Sequence, residues 1–362
     1  MNGLLVCSPW SKEKNIGDYI QSVAQEQFFT QIDCYVEREK LNTFRSAERT
    51  KVIMNAWFMW HPENFPPSKD IIPFFISFHV VPNIANRLLT PNTINYLKKH
   101  EPIGARDFAT QKLLEKHGIK SYFSGCLTLT LGLNYCSAQK NDTIYFVDPY
   151  YTMSGMKPNR LNVREYLRTL FYFLKYRDKI QSVLPHFVHE YKTIYRFIST
   201  KLENRLCAAV FYRYYHEICS DDMLKAAKFV KHTVDVQPGM DNNYLMYYAK
   251  ELLKEYSKAN LVITSRIHCA LPCLGLETPT IFVTSDVLEG DKLRSKGRFG
   301  GLIELLHVVK WTPNGIISQS SEINEILKKG KITSSTVLKN KTDYLSLKQK
   351  LIEKVESFVK NV

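Results

Sequence analysis

The stretch "LVITSRIHCALPCLGLETPTIF", residues 261–282, decides the fold. Leu261 to Thr264 is a short run rich in β-branched residues, which predicts a buried strand. Ile267 to Leu274 reads as a helix stopped by Gly275, and Thr280 to Thr284 as the next strand. Strand, helix and strand in this order imply a parallel α/β sheet. Arg266 and His268 then fall at a strand's carboxyl end, where a helix begins. Ligands of open α/β sheets bind at such places, and a helix start offers N–H groups to an anion. The competing reading has Arg266 pairing with a surface carboxylate and His268 capping the helix.

The same rhythm recurs along the chain. Strand patterns run over Gly3–Cys7, Val52–Trp57 and Phe74–Phe78, with a helix over Tyr19–Phe29. "PIGARDFATQKLLEKHGIKSYFSG" gives strand, helix and strand, with Asp107 in the helix's first turn and Gly118 at its end. Composition shifts around Gly132–Asp142, and a new strand starts at Thr143–Val147. After Asp241 a helix carries Leu245, Tyr248, Ala249, Leu252, Leu253 and Tyr256 on one face. A terminal amphipathic helix follows Lys341. The chain therefore divides into residues 1–134, residues 140–335 with a helical insertion at about 157–232, and a helix over 341–362. Two α/β lobes with a cleft between them are expected, and a cleft is where a ligand would sit.

Composition narrows the function. The 362 residues are 44% hydrophobic and 12% aromatic, enough for packed cores. The apolar start is too short for a signal peptide, and "IIPFFISFHVVPNIA" falls short of a membrane span, so a soluble cytoplasmic protein is expected. Eight scattered cysteines lack a C-x-x-C pair and read as reduced thiols rather than a zinc site. The net charge of +14 is uneven, with fifteen Lys or Arg against seven Asp or Glu between Lys157 and Lys231. Nucleic acid, anionic lipid and phosphorylated small molecules all suit such a surface, as does a solvated helical face with aromatics turned to the core.

Other residues at strand ends join the list of candidates. "KNIGD" puts Asn15, Gly17 and Asp18 in the turn after the first strand, where glycine permits close approach to a ligand; Asp18 alternatively is a plain helix cap. Arg106 follows a strand, as a ligand contact or in a surface pair with Asp107. Ser124 and Gly125 precede alternating Leu and Thr, either lining the cleft or forming a hinge strand. Lys292, Arg294, Lys296 and Arg298 lie in a glycine-rich loop before a helix from Leu302, suited to folding over an anion or simply exposed.

Taken in order, these segments resemble the polysaccharide pyruvyltransferase family. The resemblance rests on "NIGDYIQSVAQ", on "PIGARDFATQKLLEKHGIKSYFSGCLTLTL" and on "KANLVITSRIHCALPCLGLETPTIFV". It implies a GT-B-like pair of Rossmann-like lobes. It also implies transfer of pyruvate from phosphoenolpyruvate to two hydroxyls of a glycan, giving a cyclic ketal, in surface polysaccharide biosynthesis. Arg266 would then bind the donor and His268 act as general acid or base, both as catalytic residues. Arg106, Arg294 and Arg298 are further anion contacts, and Asn15, Gly17, Asp18, Ser124 and Gly125 line the substrate site. No metal, cofactor or nucleic acid is implied. The partners are phosphoenolpyruvate and an acceptor glycan, lipid-linked in one version, with the basic insertion at the inner membrane surface. The chain departs from the family in carrying Cys269 where many members have glycine, and "SGCLTLTL" where others show "GDP". The alternatives are a nucleotide-sugar glycosyltransferase of the GT-B type and a non-enzymatic subunit binding glycan or membrane.

Overall fold

The first strand, Asn2–Val6, is flanked on one side by Cys34–Glu37 and on the other by Thr50–Ile53, both parallel to it. Ile71–Phe74 follows outward, also parallel. Backbone bonds from Gly104 N–H to the Phe75 carbonyl and from Phe78 N–H to the Gly104 carbonyl continue the sheet. They bring in Ile103–Ala105 and then Ser121–Phe123. A second sheet runs Lys228–Val230, Ile144–Val147, Leu261–Thr264, Thr280–Ser285, His307–Thr312 and Gly315–Ser318, the last strand antiparallel. In each sheet the chain lays its second strand on one side of the first and its third on the other. The carboxyl ends beside the first strand are therefore the points where the strand order reverses.

This computed structural model describes all residues except 8–12, 152–162, 185–186, 188–199, 236, 286–298 and 361–362. It is an α/β structure with mainly parallel sheets, as the strand–helix rhythm requires.

Side chains alternate between the faces of both sheets. Leu4, Val6 and Ile53 from the first sheet meet Tyr145, Val147, Val262 and Phe282 from the second in one apolar cluster. Leu5, Val36 and Val52 enter a core on the far side of the first sheet. Ile144, Phe146, Ile263 and Val309 enter one on the far side of the second. The shared cluster is filled by helices Ile16–Glu26, Asn242–Lys258 and Ile267–Gly275. Helix Asn242–Lys258 is capped by Asp241, which accepts from Tyr244 N–H at 2.8 Å. It buries Leu245, Ala249, Leu252, Leu253 and Tyr256 on the face its sequence spacing marks, each large side chain contributing about 1.5–3 kcal/mol. The last helix, Tyr344–Lys360, returns to the first sheet, stacking Phe358 on Phe74 at 4.9 Å.

Several local readings are corrected. Asn15, not Asp18, caps the first helix, its side chain accepting from Gly17 N–H at 3.1 Å because that helix begins at Ile16. Asp107 stands one residue before helix Phe108–Lys116 as its cap rather than inside its first turn. Residues 127–130 form a 3₁₀ turn rather than a strand, since Thr130 Oγ1 bonds back to the Leu127 carbonyl at 2.7 Å. The helix expected from Leu302 is one 3₁₀ turn, Ile303–Leu305. In the insertion, helices Val163–Lys175, Arg177–Val183 and Thr200–Tyr215 are described, and the aromatics of the last do turn inward. Among the described residues no helix is long and apolar enough to cross a membrane.

Candidate functional site

Both sheets deliver residues to one place from their carboxyl ends. From the second sheet, Leu261–Thr264 leads through Arg266 into helix Ile267–Gly275. His268 leaves helical geometry there, at φ −83° and ψ 18°. The sequence explains this: Pro272 lies four residues on, has no N–H for the His268 carbonyl, and its ring would clash with that oxygen. Cys269 N–H and Ala270 N–H both turn to the Arg266 carbonyl, tightening the first turn. Cys269 itself is fully buried, and burial raises its thiol well above the usual range.

Arg266 Nε donates to Asp148 Oδ2 at 2.9 Å. The surface pair that was the competing reading is thus a pair with a buried carboxylate, at the end of strand Ile144–Val147. Asp148 holds a left-handed φ of +42°, tolerated by a short polar residue, and so aims its carboxylate back across the strand ends. The same Oδ2 accepts His232 N–H at 3.0 Å. His232 is buried, and desolvation lowers its imidazole to about 4, with Asp148 opposing, so the ring is neutral. Its carbonyl accepts the Ile16 N–H at 2.8 Å, which docks the start of the first-sheet helix onto the second sheet.

From the first sheet, Gly17 in that helix lies directly against His268. A Cβ at position 17 would stand 2.9 Å from His268 Cβ and 3.3 Å from Nδ1. Arg106, leaving strand Ile103–Ala105, brings Nη1 to 3.4 Å from His268 Nε2. A guanidinium can only donate, so Nε2 is the acceptor in this contact. Arg106 is 2% exposed, yet among the described residues its Nε and Nη2 make no hydrogen bond. Its charge is balanced by Asp107, 3.4 Å from Nε. Asp107 also meets His79 Nδ1 at 2.6 Å and takes Thr110 N–H at 2.9 Å. Burial pushes its carboxyl up, but His79 and Arg106 together outweigh that and hold it below its ordinary range. The expected Arg106–Asp107 surface pair is therefore a buried one.

The remaining candidates separate. Asp18 lies half-buried in the first turn and accepts from Gln21 Nε2 at 3.2 Å. Nearby, Lys14 is buried and its ammonium lowered by desolvation, while Arg38 pairs with Glu39 at 2.8 Å. Ser124 Oγ accepts from Ser77 N–H and donates to the Ala105 carbonyl, each at 3.0 Å. Gly125, at φ +71°, has its bare face against Leu347 of the last helix. These two brace the Arg106 strand end. Arg294 and Arg298, with Lys292 and Lys296, lie outside the described residues.

Sequence reasoning missed Asp148, His232, Lys14, Arg38 and His79. Asp148 had a usable signal, an acid directly after the apolar run "IYFV".

A family model described as "Polysaccharide pyruvyl transferase" matches residues 15–287, from the Asn15 cap to just past strand Thr280–Ser285. The chain belongs to this family. Arg106, Asp148, Arg266 and His268 all lie within the matched span. Among curated proteins, the chain finds no match.

Proposed function

We propose that this family member transfers the pyruvyl group of phosphoenolpyruvate to two hydroxyls of a sugar in a polysaccharide or lipid-linked glycan precursor. The observation that carries the reading is the buried Arg106 guanidinium, with hydrogen-bonding capacity to spare, beside His268, which follows Arg266 by two residues. A donor bearing both carboxylate and phosphate calls for two fixed cations. The first sugar oxygen bonds to the central carbon as the enol carbon takes a proton. The carbon–oxygen bond to phosphate then breaks, and the second oxygen closes the ketal. Of the two hydroxyl protons, one ends on the new methyl group and one on phosphate. His268, an imidazole beside Arg106 at the strand end, is suited to pass them.

The matching strand order of the two sheets supports a GT-B-like pair of Rossmann-like lobes, residues 1–134 and 140–335, closed by helix Tyr344–Lys360; the insertion expected at about 157–232 ends earlier, because Lys228–Val230 is a strand of the second sheet. Eight cysteines without a disulfide support a reducing, cytoplasmic setting.

The test is incubation with phosphoenolpyruvate and a panel of glycosides, reading phosphate release and acceptor mass. One phosphate per ketal, with a melting temperature raised by phosphoenolpyruvate alone, is expected. A shift with sugar nucleotides and none with phosphoenolpyruvate overturns the proposal in favour of glycosyl transfer.

A further inference from the structure

Helix Val163–Lys175 is amphipathic in the reverse of the usual sense. Its apolar stripe faces solvent: Val163 is 76% exposed, Leu167 59%, Phe171 58% and Leu174 64%, with Leu170 between them. At 100° per residue these five fall within about a third of the helix circumference. The opposite side holds the helix to the protein. Thr169 is buried, and Arg168 donates to Tyr172 Oη at 2.9 Å and to the Pro313 carbonyl at 2.6 Å.

A water-facing stripe of this kind marks an interaction surface. Charge identifies the partner. Arg164 and Lys175 border the stripe, and Arg177, Lys201 and Arg205 on the two following helices are exposed as well, while Lys179 there pairs with Asp221 at 2.7 Å. Between those helices, Ile180, Leu184 and Phe187 line a groove of about 540 Å³ that also takes in Lys201 and Arg205. Apolar side chains edged by cations match the acyl–headgroup boundary of an anionic bilayer. At 13 residues the helix is about 20 Å long, too short to span a hydrocarbon core of about 30 Å. It can lie only in the plane of the surface.

We propose that helix Val163–Lys175 docks this protein on anionic phospholipid, its apolar stripe inserted and its basic flank on the headgroups. Resting on the pyruvyl-transfer reading, this makes the acceptor a glycan carried on a lipid rather than a free saccharide. The docking itself is independent of that reading and is measured without turnover.

The full-length protein is sedimented with vesicles of phosphatidylcholine alone or mixed with phosphatidylglycerol, and its mass in solution is measured by light scattering. Binding to the mixed vesicles at least about tenfold above phosphatidylcholine is expected. The triple variant Leu167→Glu/Phe171→Glu/Leu174→Glu should lose at least about tenfold of it, with an unchanged melting temperature. Arg164→Glu/Lys175→Glu should lose the preference for the anionic lipid. Equal binding by either variant overturns the proposal. So does a native dimer that the triple variant splits, because a second copy would then cover the stripe.

Discussion

Gly17→Ala separates the site from the fold. A methyl at position 17 would stand 2.9 Å from His268 Cβ, 3.3 Å from its Nδ1 and 3.1 Å from the capping Asn15 Oδ1. Ordinary carbon contacts begin near 3.5 Å, so the imidazole must retreat by about 0.6 Å. It has little room, because the residues after it in its helix are buried and Arg106 lies on its Nε2 side. A displacement near 1 Å at a catalytic group costs about a hundredfold in rate, so a fall in transfer of roughly tenfold to a hundredfold is expected. Stability moves much less. Alanine is favoured over glycine in a helix by about 0.5–1 kcal/mol, against an overpacking cost of about 1–3 kcal/mol. The net loss is then at most about 2–3 kcal/mol, and the protein stays folded at room temperature. Phosphate release with a saturating acceptor gives the rate, and thermal denaturation the stability. A variant that turns over within twofold of the native protein would refute the idea that this contact sets the His268 ring.

His268→Ala should abolish transfer while phosphoenolpyruvate still raises the melting temperature; an active variant removes the proton-transfer role. Arg266→Ala should weaken that thermal response at least about tenfold in concentration, and it strands the buried Asp148, lowering stability as well. Adding Asp148→Asn should recover the stability and not the binding, which melting curves with and without donor distinguish. Arg106→Lys keeps a charge but loses the fork, and its kcat should fall at least about tenfold in the phosphate-release assay. Asp107→Asn keeps a good helix cap but leaves Arg106 and His79 without their carboxylate, a loss of about 3 kcal/mol at neutral pH. Asp107 is depressed in the folded state, so its contribution is complete above the ordinary carboxyl value near 3.9 and disappears as pH falls through the folded value. Melting temperatures of native protein and Asp107→Asn should therefore converge at the acid end; a constant gap counts against the assignment.

Periodicity made the strands and the Asn242–Lys258 helix legible, because burying one face leaves a regular mark in sequence. The strand-end positions of Arg266, His268 and Arg106 followed from the same pattern. What the pattern could not carry was pairing over long separations. Arg106 and His268 are 162 residues apart, and Arg266 and Asp148 are 118 apart. Both carboxylates were expected, if anywhere, at the surface, because a buried charge is recognisable only with its partner in view. Thr128 and Thr130 alternate like a strand yet lie in a 3₁₀ turn, since the last helix packs there and the hydroxyl of Thr130 bonds locally. Alternation in a fully buried segment does not separate the two.

The two cations stand on different sheets, so their separation is a property of how the sheets are joined. Strand pairing, hydrogen bonds, an ion pair between Lys250 and Glu26 and apolar packing make the joint among the described residues. Strand Glu13–Asn15 pairs antiparallel with Thr233–Asp235. The Ile16 N–H bonds the His232 carbonyl, and Tyr19 Oη donates to Asn242 Oδ1 at 2.9 Å. Beneath them runs the apolar cluster common to both sheets. The strand pair and the two hydrogen bonds flank the helix start that carries Gly17, so a change there moves Gly17 relative to His268. On the proposed mechanism, donor binding and proton transfer depend on one packing arrangement. On that proposal, Asn242→Ala, a change at the joint rather than in the site, should lower the rate through position alone.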